Sequence, residues 1–415
     1  MGKASYLSLF PVIRRKAAIA GLAVLAAATA TVVPQPVQAQ SYKVIFNFTL
    51  GGDGGSPEAG LTIDHAGNLY GTTNSGGVGY GTVFKLTYKN SVWLLNVLHS
   101  FAGGNDGSGT YSPVVFGADG SLYGATFGTA SGYGTVFKLQ PPLSACKTAL
   151  CAWTETVLYR FTGGSDGANP EGDLTFDQAG NLYGATMAGG YGYGVVYKLT
   201  PSSGGWTESV LHSFERGSDG VFPAAGVIFD KSGNLYGTTA YGSQHGLGVV
   251  YQLTPSGLGW TENILYTFLG GKDGGVPLAG LIFDTSGNLY GATSQNGSAS
   301  GGTAFELASM NGSWNFALLY GFAGSAGCGP QASLAFDQAG NLYGTTVCGG
   351  LYGQGSVFKL TLSGGTWNYT SLHDFDGPDG AFPVSNIVFD ANGNLYGTAA
   401  GGGTYGYGVV FQIMP

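Results

Sequence analysis

Oxygen donors are the side chains with which this sequence could do chemistry, and the most regular of them are six aspartates in Gly-rich loops. They are Asp53, Asp106, Asp166, Asp219, Asp273 and Asp379, one in each copy of the loop, with Ala326 in the remaining copy. Hard cations such as Ca²⁺ bind through several such oxygens at once. Symmetry would hold these carboxylates apart, and Asp-Gly is also turn chemistry, Asp bonding backbone amides and Gly supplying positive φ. Two readings follow: Ca²⁺ held separately by each copy, or a set of structural turns.

A second group of donors varies where the first is constant. Glu58, Glu171, Asp173, Gln331 and Asn386 stand just before or at the start of one strand of their repeats. Histidine titrates nearest neutral pH and is the usual acid–base group. Yet His99, His212 and His373 share one position with Phe46, Tyr159, Tyr266 and Tyr320, which reads as a preference for a planar ring. His65 lies in a turn, and only His245, in YGSQHGLG, breaks its own repeat. Glycine-rich loops such as residues 76–81 open a strand and lack the helix that a phosphate-binding loop needs.

Four cysteines suit an oxidising compartment. Cys146 and Cys151 lie within PPLSACKTALCAW in the one insertion, residues 140–152, and read as a local clip. Cys328 and Cys348 flank one hairpin at nearly mirrored positions, Cys328 in the loop that carries Ala326, and read as a second disulfide. No C-x-x-C motif points to redox catalysis.

A repeat positions all of these residues. Near-copies of FDTSGNLYGAT return seven times, centred on Tyr70, Tyr123, Tyr183, Tyr236, Tyr290, Tyr343 and Tyr396, at intervals of 53, 60, 53, 54, 53 and 53 residues. Each unit holds four short apolar segments bounded by Gly, Pro, Asp or Asn, the pattern of strands, here called A to D. In the fifth unit they cover residues 281–284, 288–293, 302–307 and 314–322. Between A and B, Asp177, Asp230, Asp284, Asp337 and Asp390 open FDxxGN turns. Strand C always carries an aromatic, from Phe84 to Phe411, and strand D always ends in Phe, from Phe48 to Phe375.

Small four-stranded sheets that cannot stand alone are best buried in a ring. The expectation is an all-β, single seven-bladed propeller of four-stranded blades over residues 40–415. The chain begins with a D-type strand, residues 42–48, and ends after a C-type strand. The N-terminal strand is therefore expected to complete the C-terminal blade and remove an open edge. Strand A is then innermost, so Glu58, Glu171, Asp173, Gln331 and Asn386 should ring one mouth of a central channel. The six tryptophans, Trp93 to Trp367, hold one strand D position and read as packing.

Charged residues are only 9% of the chain, so polar uncharged side chains must cover much of the surface. Residues 1–39 read as a secretory signal peptide, basic and then apolar, with cleavage after Ala39. Removing its four positive charges leaves 11 Lys and Arg against 23 acidic residues, a net of −12 that argues against nucleic acid as a partner. The mature protein is expected to be a monomer, secreted, periplasmic or extracellular, without stable membrane insertion.

GNLYGTT followed by GG, YG and TVFKL resembles the bacterial GloVer tandem repeat from about residue 42 to the end. That resemblance implies export and a secreted or surface protein, and it brings no activity with it. The A and B strands also look like NHL-type and gluconolactonase-like propellers, the latter holding a divalent metal at the channel mouth. Two functional expectations follow. One is a binding scaffold for carbohydrate, cell-wall or protein ligands, using the B-to-C loops with Tyr193, Tyr407 and their neighbours; no cofactor is expected there beyond Ca²⁺. The other is a metal-dependent lactonase or lyase at the channel mouth.

Overall fold

The computed structural model describes residues 40–128, 132–142, 153–257, 259–297, 301–310 and 312–414. They form seven antiparallel sheets, each with strands A to D in order, apart from one 3-10 turn at Gly324–Ala326. The signal-peptide reading and the Cys146–Cys151 clip lie outside the described residues.

The fifth blade shows how the sequence makes a sheet. Its strands are Ile282–Phe283, Leu289–Thr293, Thr303–Met310 and Ser313–Gly321, so the two outer strands run well beyond their apolar centres. Asp284 sets the A-to-B turn: its Oδ1 accepts from the amides of Ser286 and Asn288, each at 2.8 Å. The Asn288 side chain donates to the other oxygen at 2.9 Å, which fixes the turn. Leu289–Thr293 is buried throughout because sheets lie on both its faces.

In each blade, the Gly of LYG sits opposite the strand C aromatic, as Gly291 does with Phe305. A Cβ on Gly291 would lie 2.7 Å from the Phe305 ring, and the six equivalent glycines are as crowded. The ring lies on the glycine, so any side chain at this position would have to displace it.

The core lies between blades. The final Phe of strand D meets the strand C aromatic of the next blade at all seven junctions, with centroids 4.9 to 5.4 Å apart. Such pairs add about 0.5–1.5 kcal/mol each beyond area burial. Trp93, Trp153, Trp206 and Trp314 pack edge-on against the strand B Tyr of the preceding blade, at 5.8 to 6.4 Å. At the seventh position Gln40 reaches across instead, its amide donating to the Leu372 carbonyl at 2.8 Å.

The N-terminal strand, Ser41–Asn47, pairs antiparallel with the last strand, Val409–Met414, and completes the seventh blade. The Phe48 amide extends the ladder to the Gly408 carbonyl at 3.0 Å.

Candidate functional site

The chain entering each strand A follows one local plan. First comes a residue with φ between 50° and 65°: Ser56, Gly109, Asn169, Phe222, Val276, Gly329 or Phe382. For β-branched Val276 this conformation is rare. The neighbouring blade holds it: the Val276 amide donates to Leu247, as Phe222 does to Tyr193 and Ser56 to Tyr407, each at 2.9 Å. These carbonyls belong to the B-to-C loop of the preceding blade, so those loops share a face with the chain running into the channel.

Two residues further on, Glu58, Tyr111, Glu171 and Gln331 line a cavity of about 200 Å³ at the centre of the ring. Ala224, Leu278 and Val384 fill the same position in the other three blades. Two residues deeper comes a narrower ring with Asp173, Ser333 and Asn386. Glycine makes room for it: a Cβ on Gly226 would lie 2.2 Å from the Asp173 carbonyl oxygen.

Electrostatics at this mouth are set by burial. Burial first, and then the charge of Glu58, push the Glu171 carboxyl up to about 7. Burial alone raises Asp173 to about 6. Glu58 is raised by burial, against which the neighbouring Asn74 amide works. Asn386 keeps a buried Oδ1 with no hydrogen-bond donor. The mouth can therefore offer protonated and ionised carboxyls together near neutral pH.

All five predicted channel residues, Glu58, Glu171, Asp173, Gln331 and Asn386, reach this cavity. Among the described residues, the one set of three His, Cys, Asp or Glu donors within 4.8 Å lies elsewhere, at His212, Asp219 and Glu262.

The six loop aspartates stay one per blade, each engaged by its own loop or by the strand D that precedes it. Asp53 accepts from the Thr49 amide and hydroxyl at 3.0 and 2.6 Å. Asp166 and Asp273 accept from the hydroxyls of Tyr159 and Tyr266 at 3.0 and 2.8 Å. Asp106, Asp219 and Asp379 face Nε2 of His99, His212 and His373 at 3.2, 3.0 and 2.6 Å. The shared His/Tyr position is thus more than a planar filler, because its ring carries a donor aimed at the loop aspartate. Where the ring is Phe46 the Thr49 hydroxyl donates to Asp53, as the Thr162 hydroxyl does to Asp166 beside Tyr159, and where the aspartate is Ala326 the Tyr320 ring stacks on Tyr369 at 4.9 Å.

Sequence reading missed the third member of these junctions. Glu155, Glu208 and Glu262 each follow a tryptophan by two residues, in three copies of Trp-Thr-Glu, and each has a buried Oε1 without a hydrogen-bond donor. Burial and the facing aspartate, Asp106 or Asp166, raise Glu155 and Glu208 to about 7. The repeated WTE was the available signal.

His245 is exposed in the fourth blade. The B-to-C loops present a series of exposed tyrosines, with Tyr191 at 67%, Tyr352 and Tyr405 at 57%, and Tyr80, Tyr133, Tyr241 and Tyr407 also exposed. Tyr193 is half-buried, 6.4 Å from the ring of Phe222. Cys328 and Cys348 form a disulfide across the bridge that joins the B and D-to-A segments in other blades, with Cα atoms 5.0 Å apart.

The sequence profile described as the Gloeobacter/Verrucomicrobia repeat matches residues 27–156, 149–266 and 259–415, almost the whole chain. The chain belongs to this repeat family. The repeat core of this chain is GNLYG in six blades and GSLYG in the second. A comparison with curated proteins finds no match. Among solved structures, the Gloeobacter/Verrucomicrobia repeat chain is similar to a protein of Thermus thermophilus described as an oxidoreductase (glucose dehydrogenase). Identity is 14%, with a TM-score of 0.42, over 90% of this chain and 100% of that one. It is also similar to a protein of Bacteroides uniformis described as a 6-phosphogluconolactonase, at 13% identity and a TM-score of 0.48, over 82% and 88% of the two chains. Likeness at this level carries no argument about activity. No helix among the described residues is long and apolar enough to cross a membrane.

Proposed function

We propose that this repeat propeller is an extracellular binding module that takes a polar polymer, carbohydrate of cell-wall type or an extended peptide, on the face bearing the channel mouth. The observation that carries this reading is the series of exposed tyrosines on the B-to-C loops, which are hydrogen-bonded to the segments entering the mouth. Tyrosine presents a flat apolar face and a polar tip at low entropic cost, which suits recognition of hydroxyl-rich or peptide ligands. Carboxyls and amides of Glu58, Glu171, Gln331 and Asn386 supply the polar centre. The disulfide supports an oxidising compartment.

A metal-dependent lactonase or lyase needs three or four oxygens converging on one ion, and no three carboxylates gather in that way at the mouth among the described residues. The exposed tyrosines favour binding. An array of glycans, cell-wall polymers and peptides, probed with and without Ca²⁺, tests it. The expected result is retention on one polymer class, lost on Tyr191→Ala with Tyr405→Ala. Retention unchanged in that double variant, or none on any class, overturns it.

A further inference from the structure

At the junction of the third and fourth blades, Nε2 of His212 lies 3.0 Å from Oδ1 of Asp219 and 3.8 Å from Oε1 of Glu262. All three donor atoms are within 4.8 Å of one another. They come from three elements: strand D of one blade, Gly205–Ser213, the loop after it, and strand D of the next, Gly259–Thr267. We propose that this junction binds one divalent first-row transition ion of the Zn²⁺ class, held by His212, Asp219 and Glu262.

The orphaned oxygen is the first argument. Oε1 of Glu262 is buried and has no hydrogen-bond donor, although an aspartate faces it across the junction. A buried carboxylate oxygen without a partner is costly, and two carboxylates brought together call for a cation between them.

Geometry and ligand type identify that cation. Tetrahedral Zn²⁺ with bonds of about 2.0–2.1 Å sets its donors about 3.3 Å apart, a value that lies between the two distances measured from Nε2. An imidazole corner favours Zn²⁺ and its neighbours over Ca²⁺ or Mg²⁺, which take oxygen. The amide of Glu215 donates to Oδ2 of Asp219 and orients Oδ1 toward the site. The three side chains are 19, 17 and 16% exposed, so the site is not sealed from solvent.

The repeat supplies internal controls. The first junction has the same residue types, His99, Asp106 and Glu155, and His99 pairs with Asp106 at 3.2 Å, but the three donor atoms do not all lie within 4.8 Å of one another. At the second, Tyr159 replaces the histidine beside Asp166. One site per chain is therefore expected.

Titrating the untagged, metal-free full chain with Zn²⁺ by calorimetry, alongside thermal melts, tests the proposal. A single saturable site and a zinc-dependent rise in Tm are expected, without a matching response to Ca²⁺. Glu262→Gln should weaken zinc binding at least about tenfold. His212→Tyr should abolish the zinc-dependent rise while leaving the metal-free Tm unchanged, because Tyr159 and Tyr266 already make the same bond to their aspartates. No zinc binding by the parent chain overturns the proposal and leaves a proton as the shared cation. Zinc binding of unchanged strength in both variants overturns it as well, by placing the ion elsewhere.

Discussion

The hydroxyl of Thr398 donates a 3.0 Å hydrogen bond to the carbonyl of Ala59, joining the last blade to the first across 339 residues. Internal neighbours use the same contact, Thr238 to Ala279 at 3.2 Å and Thr345 to Ser385 at 2.9 Å. The closing junction is built like the others, with Phe48 on Phe84 and Trp93 on Tyr396. Closure thus rests on ordinary blade-to-blade packing as well as on the strand pairing.

Phe48→Ala should accordingly cost about 3–5 kcal/mol, the range for a fully buried Phe. Deleting residues 40–48 should lower Tm further and expose the edge of Val409–Met414, with self-association by light scattering. A deletion variant that stays monomeric at the parental Tm contradicts closure.

Gly291→Ala should destabilise by about 1–3 kcal/mol, because the new methyl meets the Phe305 ring and overpacks the blade. Gly287→Ala, in the turn of the same blade, has open space but a φ of 88°, so its cost should come from the backbone alone. Urea denaturation of both, with Gly291→Ala combined with Phe305→Leu, separates the two causes: only the Gly291 defect should be relieved in the double variant.

Tyr197→Phe and Tyr251→Phe should each stabilise by about 1 kcal/mol. Their hydroxyls are fully buried and have no partner, at a position that is Phe in the other five blades. Chemical denaturation checks this, and a loss of stability would mean that the hydroxyls are satisfied.

Stability should peak at mildly acidic pH. Glu155, Glu171 and Glu208 have folded values near 7 against an ordinary 4.5, so the folded chain holds protons that the unfolded chain has lost. Their unfavourable contribution is absent below about pH 4.5 and grows as pH rises to about 7. Turn aspartates act oppositely. Burial alone would raise Asp177, Asp230 and Asp337, but donors from the Asn and Tyr that follow hold them below 3.8. Their stabilisation is lost as pH falls through those lowered values. Tm should therefore be highest near pH 5, roughly, and fall on both sides; a maximum at pH 8 would contradict the assignment of the raised carboxyls.

Much of this was legible in the residues. FDTSGNLYGAT carries its own turn, since Asp284 bonds the amides of Ser286 and Asn288 within five residues. The strand C aromatic and final Phe of strand D announced the interblade core, and the phase of residues 42–48 announced the closure. Glu58, Glu171, Asp173, Gln331 and Asn386 were traceable to the channel because strand A is innermost.

The rest depends on which copies face each other. Local sequence fixes strands, turns and blade order, because each of these is decided by residues a few positions apart and by their period. Whether a donor in one blade meets an acceptor in the next is decided by how far the sheets rotate and approach, which no periodicity encodes. His212 and Glu262 stand 50 residues apart in sequence but 3.8 Å apart in the ring, while the His, Asp and Glu of the first junction do not all gather within 4.8 Å. The raised carboxyls of the channel, Glu58, Glu171 and Asp173, are likewise a product of burial, and burial exists only once seven blades have closed around them.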